Sequence, residues 1–406
     1  MTKEPGNSNH QLNDIQYKAV HHPDGPVLIA AGAGSGKTKT LTSRVIHLLE
    51  SGIPPEQIIA ITFTNKAAKE MKSRVMNQES RIMNKKNGLI HNSEFLVPFV
   101  GTFHALGASI LRQEAQLVQR TGQFTIFDAD DSYSLIKSVH KSLNLSGDRF
   151  NPYAIATKIS SIKNELENID DYRSGSSFDK VLVSIYEKYE AALKQSNAFD
   201  FDDLIEKVVR IFQQHPKILE KYQKQWGHIL VDEFQDVNTN QYLFIKLLAA
   251  KHHNLFVIGD DAQSIYAFRG SDFRNFLNFE NDWDNAMVIS LEENYRSTQN
   301  IIRAASKLIS HNKFQKKKEL WTKNPEGELI DVYAVQDAEE EARTIAEKIH
   351  TAIADGEAMS EIAILYRTNA QSRALEQALI RFNIPYEIFG GLKFYARKEI
   401  KDIVAC

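Results

Sequence analysis

The sequence contains few cysteines, no long apolar run and little net charge, and each of these absences excludes a class of protein. Its single cysteine, Cys406, excludes a disulfide framework and a zinc site built from cysteines. No apolar run is long enough to span a bilayer, and residues 1–14 contain no apolar core of a secretion signal. With 49 Lys+Arg against 52 Asp+Glu, the net charge of −3 excludes a histone-like protein but permits a local basic channel. We therefore expect a cytoplasmic protein, and its 406 residues suggest two or three domains at roughly 150 residues each.

Short, nearly continuous apolar segments recur along the chain, each followed by small or polar residues. They cover residues 27–30, 58–63, 228–231, 255–259, 287–291, 330–335 and 362–366. Strands that are buried on both faces of a parallel sheet have this composition. Helical patterns, such as 65–76 and 242–250, lie between many of them. The sequence thus predicts an α/β fold with a doubly wound parallel sheet.

Residues 111–198 differ from this pattern, because they contain no strand-like run. Apolar residues at helical spacing occupy 130–143, 155–167 and 178–194, which predicts a helical insertion in the first α/β domain. The polar residues 77–93 indicate a surface loop. A second α/β unit is expected to begin near Ala286.

A glycine-rich turn follows the first apolar segment and precedes a helical pattern. It consists of Ala31, Gly32, Ala33, Gly34, Ser35, Gly36, Lys37 and Thr38. This is the context of a P-loop, in which backbone amides surround the phosphates, Lys37 reaches their β and γ oxygens, and the Thr38 hydroxyl binds Mg²⁺. Ala31 departs from the usual glycine, and a small side chain is expected to be tolerated there. The alternative is a glycine-rich turn with a chance Gly-Lys-Thr.

The apolar segment 228–231 ends in Asp232 and Glu233. Asp232 at the carboxyl end of a strand can hold Mg²⁺, and Glu233 can polarise an attacking water, which favours hydrolysis over binding alone. By itself this pattern also fits an ordinary strand end. Together with the P-loop it indicates a nucleotide hydrolase.

Longer motifs then occur in order along the chain. They are residues 12–16 (LNDIQ), 61–68 (ITFTNKAA), 101–104 (GTFH), 231–236 (VDEFQD), 259–270 (GDDAQSIYAFRG) and 293–298 (ENYRST). In this set the chain resembles superfamily 1 DNA helicases of the UvrD/Rep/PcrA type, from about Leu12 to its last residue. The resemblance implies a RecA-like P-loop NTPase domain with a parallel sheet, a helical insertion, and the start of a second RecA-like domain.

The resemblance also implies roles at the ATP site. Gln16 would read the adenine edge, Tyr295 would stack on the base, and Lys39 would join the nucleotide-binding residues. Gln263 would sense the γ-phosphate, and Arg296 would bring a cation to it from the second α/β domain, so that domain closure completes the site. The implied catalytic residues are Lys37, Asp232, Glu233, Gln263 and Arg296. Taken singly, Gln16, Tyr295 and Arg296 also fit ordinary surface or core positions.

For DNA, the resemblance implies a single-strand groove across the tops of the two domains. Its residues would be Phe63, Thr64, Asn65, Thr102, His104, Tyr266, Phe268 and Arg269. Aromatic rings would stack on bases, and polar groups would contact phosphates. Phe268 stands where several relatives carry Trp. Phe63 and Phe268 also fit core positions, and His104 also fits an ordinary satisfied histidine.

Two charged segments and one further motif complete the resemblance. The basic run 313–323 is predicted to be a solvated loop rather than a nucleic-acid patch. The acidic segment 197–204 could suggest a nuclease metal site, but its place in the family favours a structural role. Residues 365–373, with Arg367, Asn369 and Arg373, match a motif of the second domain.

The domain boundaries follow from the resemblance. Residues 1–110 and 199–285 would form the first RecA-like domain, 111–198 the insertion, 286–390 a partial second domain, and 391–406 the start of an outer helical domain. The family's later motifs are not found, including one that adds a second arginine to the γ-phosphate. We therefore expect a truncated chain with impaired turnover.

The predicted function is an ATP-dependent 3′–5′ DNA helicase or translocase that acts on single-stranded DNA and duplex junctions, in repair or replication, with ATP and Mg²⁺ as cofactors. The alternative is a catalytically weak fragment that binds nucleotide and DNA. A small-molecule kinase is disfavoured by the 231–236 and 259–270 motifs.

Overall fold

The computed structural model describes residues 12–86, 98–147, 149–267 and 270–389, and for residues 77–86 it describes the backbone only. By its internal contacts the chain divides into two compact units, Met1–Glu328 and Leu329–Cys406. None of the helices in the described part of the chain has the length and apolarity needed to cross a membrane.

A six-stranded parallel sheet forms the centre of the first unit. Its strands are β1 (Val27–Ala31), β2 (Ile58–Thr62), β3 (Phe99–Thr102), β6 (His228–Val231), β7 (Leu255–Gly259) and β8 (Met287–Leu291), in the order β3-β2-β6-β7-β1-β8. Strands β1, β2, β6 and β7 are buried along their whole length, which explains their unbroken apolar composition. The predicted α/β fold with a parallel sheet is confirmed. Strand β3 was not predicted, because it is short and only its first two residues, the half-buried Phe99 and Val100, are large and apolar.

Helices cover both faces of this sheet. They are α1 (Asp14–Val20), α2 (Lys37–Glu50), α3 (Asn65–Lys86), α4 (Phe103–Glu114), α8 (Asp203–Gln214), α9 (Pro216–Gln225), α10 (Thr239–Ala249), α11 (Arg274–Leu277), α12 (Phe279–Asp282) and α13 (Gln299–Ile309). The apolar side chains of alternate strand residues enter two separate cores, one on each face: Leu28 and Ala30 belong to one core, Val27 and Ile29 to the other. Because the strands all run parallel, their carboxyl ends lie at one edge of the sheet.

The helical insertion is present as predicted. It consists of α5 (Ala129–Ser142), α6 (Pro152–Glu165) and α7 (Ser177–Gln195), which share their own apolar core. A short parallel pair, β4 (Thr125–Phe127) with β5 (Ala198–Asp200), joins its first and last residues. The chain therefore leaves and re-enters the α/β region at neighbouring points.

The predicted surface loop over residues 77–93 is wrong at its start, because α3 continues to Lys86. The composition is polar, but no glycine or proline interrupts it before Gly88, so nothing ends the helix earlier. Residues 87–93 lie outside the described ranges.

The placement of residues 287–291 in a second sheet is also wrong. Strand β8 pairs in parallel with β1 over five residues, from Val27 opposite Met287 to Ala31 opposite Leu291. The first compact unit consequently extends to Glu328, beyond the predicted boundary at residue 285. An apolar run predicts a strand but not its partner, since pairing is a long-range choice.

The second unit is built from α14 (Ala338–Ala354) and α15 (Ser372–Arg381). Ala342, Ala346, Leu375 and Leu379 form the centre of its small core. Residues 330–335 and 362–366 were predicted to be strands, yet no strand occurs among the described residues 329–389. Several of their apolar side chains are exposed, including Val332 and Leu365. The motif residues Arg367 and Asn369 precede α15, and Arg373 lies in its first turn.

Candidate functional site

The glycine-rich turn forms the link between β1 and α2. Gly34 (φ 68°) and Gly36 (φ 85°) adopt the left-handed backbone region that glycine enters without strain. Gly36 is the residue that precedes the first turn of α2, whose amides carry the partial positive charge of a helix N-terminus. The local geometry is that of an anion-binding turn.

Four contacts from distant segments hold this turn in place. The Gly32 N–H donates to the Leu291 carbonyl (3.0 Å), and the Tyr295 N–H donates to the Gly34 carbonyl (3.0 Å). The Asn294 side-chain amide donates to the Ala33 carbonyl (2.6 Å). The Gln16 side-chain amide donates to the Ser35 carbonyl (2.8 Å). The turn is therefore pre-organised by chain segments on both sides of it in sequence.

An open cavity of about 340 Å³ lies beside the turn. That volume falls in the range typical of ligand sites, roughly 300–1,000 Å³. Its lining residues are Ala33, Gly34, Gly36, Lys37, Thr38, Lys39, Arg74, Glu233, Gln263, Tyr295 and Arg296. Of the predicted nucleotide-binding residues, Gln16, Ala31, Gly32 and Ser35 are not among them. Ala31 is buried in β1, and the Ser35 hydroxyl donates to the Gly32 carbonyl (2.7 Å), so these residues support the turn from behind.

Lys37 and Glu233 form an ion pair at the wall of the cavity, with 3.6 Å between Lys37 Nζ and Glu233 Oε2. Glu233 has φ 49°, a left-handed conformation that costs energy for a residue with a side chain. The buried Gln235 side chain donates to the same Glu233 carboxylate (2.9 Å). The strained backbone and this amide together aim the carboxylate at the cavity.

Asp232 lies directly before Glu233 and is buried. Burial, and then the Glu233 charge, raise the pKa of Asp232 to about 7, against the opposing effects of the Glu233 N–H bond and of Lys37. A buried carboxylate beside a phosphate-binding turn is suited to Mg²⁺. This ion binds through one or two carboxylates together with water and phosphate oxygens. No cluster of three or more Asp, Glu, His or Cys that could hold a metal occurs in the described ranges. A metal here would therefore need phosphate oxygens besides Asp232 and the Thr38 hydroxyl.

The predicted adenine contacts lie at one end of the turn. Gln16 is buried; its side-chain oxygen accepts from the Asn13 N–H (3.1 Å) while its amide reaches Ser35. Tyr295 is half exposed, and its hydroxyl accepts from the Asn13 side chain (2.7 Å) and donates to Glu293 (2.8 Å). Burial and Glu293 raise the pKa of Tyr295 to about 12, so the phenol stays neutral.

Arg296 was expected to come from the second α/β domain, but its contacts place it elsewhere. It lies within the first compact unit, five residues after β8, and lines the cavity. Its N–H donates to Asn294 (2.9 Å), the residue that also binds the turn. Because β8 belongs to the first sheet, the segment that follows it is delivered directly to the P-loop.

Gln263 lines the same cavity from the segment after β7. Its side-chain amide donates to Asp260 (2.6 Å), and its N–H donates to the Asp260 carbonyl (2.9 Å). The predicted catalytic residues Lys37, Glu233, Gln263 and Arg296 thus all line one cavity, with Asp232 adjacent.

Six of the predicted DNA-contacting residues are described, and they follow strand ends at the same edge. Phe63, Thr64 and Asn65 follow β2, and Thr102 and His104 lie at the junction of β3 and α4. The Phe63 ring meets the Tyr266 ring, from the segment after β7, with centroids 5.1 Å apart. Phe268 and Arg269 lie outside the described residues.

His104 makes a contact that the sequence did not indicate. Its ring lies nearly perpendicular to that of the half-exposed Phe201, with centroids 5.7 Å apart. Burial lowers the pKa of His104, so the imidazole is neutral at pH 7. It can stack or donate one hydrogen bond, but it contributes no cation.

Sequence reasoning also missed Arg74 and the role of Asn294. Arg74 lies on α3, lines the cavity, and pairs with Glu70 one turn earlier (2.6 Å). A lone helical arginine carries no local sign of this position. Asn294 was part of a quoted motif, and its burial and three hydrogen bonds identify it as a brace.

Comparison with known proteins identifies the family of this chain. Residues 12–284 match the family model described as the UvrD/REP helicase N-terminal domain, and residues 289–406 match the UvrD-like helicase C-terminal domain. The chain belongs to the UvrD/REP helicase family. The two matches meet beside the boundary predicted from the sequence at residue 285, whereas the contacts place the division at Glu328.

Among curated relatives, the chain is similar to the ATP-dependent DNA helicase PcrA of several bacteria. It is 44% identical to that of Staphylococcus epidermidis over 397 residues, which is 97% of this chain and 53% of the relative. It is 44% identical to that of Bacillus subtilis over 398 residues, 97% of this chain and 52% of the relative. For Leuconostoc citreum the identity is 43% over 398 residues, again 97% of this chain and 52% of the relative. The chain spans about half the length of the curated relatives it matches.

Proposed function

We propose that this chain binds ATP with Mg²⁺ and hydrolyses it to drive movement on single-stranded DNA. The observation that carries the proposal is the convergence of Lys37, Glu233, Gln263 and Arg296 on one cavity beside an anion-binding turn. The PcrA relatives, named as ATP-dependent DNA helicases, support the same chemistry.

In the proposed reaction the turn and Lys37 hold the phosphates. Glu233 accepts a proton from a water, whose oxygen attacks the γ-phosphorus while the bond to the β–γ bridging oxygen breaks and ADP leaves. Arg296 and Lys37 stabilise the negative charge that develops on the phosphoryl oxygens. Mg²⁺, held by Thr38 and Asp232, would supply further positive charge to the phosphates.

Base binding is assigned to Gln16 and Tyr295, which contact the turn at Ser35 and Gly34. Tyr295 presents an exposed ring there, and Gln16 presents an amide whose second hydrogen is not used by Ser35. Lys39 and Arg74 also line the cavity, and they are proposed to contact sugar or phosphate. These roles rest on position and chemistry.

DNA is proposed to follow the edge formed by the ends of β2, β3 and β7. The paired rings Phe63 and Tyr266 would stack on bases, and Thr64, Asn65 and Thr102 would bind phosphates. Phe268 and Arg269 are proposed partners on the same segment as Tyr266. The 3′–5′ polarity, the preference for single strands and duplex junctions, and a role in repair or replication come from the family resemblance.

The deciding experiment measures ATP hydrolysis by the purified chain, with and without single-stranded DNA. Glu233→Gln should retain ATP binding and lose roughly 10²–10⁴ in rate, since the amide cannot accept the water's proton. Glu50→Gln, which changes an exposed carboxylate at the end of α2, is the matched control. Normal turnover by Glu233→Gln would refute the assignment.

The same assay separates the alternative function. Tight nucleotide and DNA binding without DNA-stimulated turnover would indicate a binding protein rather than a motor. A fusion of this chain to the part of a relative that it does not cover tests the expected impairment. ATP turnover that is slow in the chain and faster in the fusion would support it. Displacement of streptavidin from 3′- or 5′-biotinylated oligonucleotides tests the polarity.

A further inference from the structure

The segment Lys316–Trp321, which we name the strap, joins three parts of the proposed ATP site. Its C-terminal end lies beside the segment after β8: the Trp321 N–H donates to the Glu292 carbonyl (3.1 Å), and the Asn294 N–H donates to the Trp321 carbonyl (2.8 Å). This part of the chain was predicted to be a solvated basic loop. The segment is a loop in which Lys317 and Glu319 are exposed, as predicted, but the Lys318 side chain is not solvated.

Lys318 is a buried cation between two buried carboxylates. Its Nζ lies 2.6 Å from Asp260 Oδ1 and 2.5 Å from Asp261 Oδ1, and only 6% of its side chain is exposed. The Lys316 N–H donates to the other Asp261 oxygen (2.7 Å). Neighbouring buried carboxylates repel each other unless a cation lies between them, so the position of this acidic pair depends on Lys318.

Asp260 carries the effect of Lys318 to the cavity. Its second oxygen accepts from the Gln263 side chain (2.6 Å), and Gln263 lines the cavity. Its N–H donates to the Gln235 side-chain oxygen (2.8 Å), and the Gln235 amide holds Glu233 (2.9 Å). One buried residue, Asp260, therefore connects the strap with Gln263 through its carboxylate and with the proposed catalytic base through its backbone N–H.

The strap also contacts the P-loop. Leu320 lies so close to Gly32 that a Cβ at residue 32 would be 2.1 Å from Leu320 Cδ2. The strap therefore covers Gly32 with Leu320, which follows Lys318 by two residues. The P-loop, the segment after β7 and the segment after β8 all meet the same six residues.

We infer that Lys318 is a positioning residue for ATP hydrolysis, which fixes the Gln263 side chain at the wall of the nucleotide cavity by neutralising Asp260 and Asp261. The inference rests on the proposed function. It assigns a role to Lys318 of the basic segment, in addition to the roles proposed for the P-loop and the acidic motif. Lys318 does not line the cavity, so its effect should appear in turnover and not in nucleotide affinity.

The test compares Lys318→Met with Lys317→Met, which removes a neighbouring exposed charge from the same segment. Lys318→Met should lower the DNA-stimulated kcat by roughly 10- to 100-fold, the loss typical of a displaced catalytic group. The KM for ATP and the affinity for a fluorescent ATP analogue should stay within about twofold, because the phosphate contacts remain. Lys317→Met should leave all three values unchanged.

A charge-rescue variant distinguishes positioning from a purely structural ion pair. In Lys318→Met/Asp261→Asn the acidic pair loses one charge, while the oxygen of the introduced amide can still accept from the Lys316 N–H, so kcat should recover at least in part. Unchanged kcat in Lys318→Met, or equal losses in kcat and affinity without rescue, would overturn the inference.

Hydrogen exchange keeps the inference testable if the wild-type chain hydrolyses no ATP, a result that would refute the proposed function alone. Binding of a non-hydrolysable ATP analogue with Mg²⁺ should protect residues 259–264 in the wild type and in Lys317→Met. This protection should be lost in Lys318→Met. Equal protection in all three proteins would contradict the role of Lys318.

Discussion

The substitution Lys163→Met offers the sharpest test of the packing between the helical insertion and the sheet domain. The Lys163 side chain on α6 has no exposed surface, and its Nζ lies 2.7 Å from Glu190, 2.8 Å from Asp200 and 2.8 Å from Asp203. Burial alone would lower the pKa of Lys163, but the three carboxylates raise it well above its ordinary value. This cation explains the acidic segment 197–204, whose structural role the ion pairs support over a nuclease site.

The size of the effect follows from what remains after the substitution. Met fills most of the lysine volume, so the loss is mainly electrostatic, and removing one partner of a buried ion pair costs about 3–5 kcal/mol. Lys207 stays within 3.0 Å of Glu190 and 3.4 Å of Asp203, which places the expected loss near the lower limit. The unpaired carboxylates will bind protons more readily when folded. The loss should therefore be smaller at pH 5 than at pH 7.5.

The assay is urea unfolding followed by circular dichroism, with hydrogen exchange of α6 and α7 to locate the change. Lys158→Met is the matched control on the same helix: its partner Glu167 lies 3.2 Å away and the lysine is about one-third exposed. Exposed pairs contribute about 0–1 kcal/mol. If both variants lose the same stability, or if the Lys163→Met loss does not shrink at pH 5, the reasoning is refuted.

Three further predictions concern the P-loop, the pH dependence of stability and DNA binding. Gly32→Ala should lower stability by about 1 kcal/mol and weaken ATP binding, because Leu320 must move away. Thermal unfolding and ATP titration measure these losses, and both should recover in Gly32→Ala/Leu320→Ala. No recovery would contradict the contact between residues 32 and 320. Burial, then His228, lower the pKa of His252 to about 4, so the unfolded chain takes up its proton first and stability falls from about pH 6.5 towards pH 4. His252→Asn should flatten the change in Tm between pH 7 and pH 5, and parallel profiles would argue against this origin. Tyr266→Ala should weaken single-strand binding by roughly 1–3 kcal/mol with little dependence on base sequence; fluorescence anisotropy measures it, and intact affinity would remove Tyr266 from the groove.

The sequence by itself determined the elements whose signal is local. The buried strands β1, β2, β6 and β7 were predictable because both of their faces are apolar. The P-loop was predictable because its glycines, lysine and threonine are consecutive and lie between a strand and a helix. The three helices of the insertion followed from helical spacing alone. Each of these patterns is set by neighbours within one or two turns of the chain.

The local sequence did not predict which apolar segments form strands, because a strand also needs a neighbouring strand to pair with. Residues 330–335 and 362–366 have strand-like composition but form no strand in the described residues, since a strand requires a hydrogen-bonding neighbour. Residues 287–291 have the same composition and do form a strand, because β1 offers a free edge. Composition cannot distinguish these cases.

Only the tertiary structure decided which residues meet at the site. Asn294 binds the carbonyl of Ala33, 261 positions earlier, and Lys318 reaches Asp260 across 58 positions. Lysines 317 and 318 are adjacent and chemically identical, yet one is exposed and the other is buried between two carboxylates. The sheet order places the strand ends side by side and so selects these partners. Because contacts of this range depend on the packing of all intervening elements, no local pattern in the sequence specifies them.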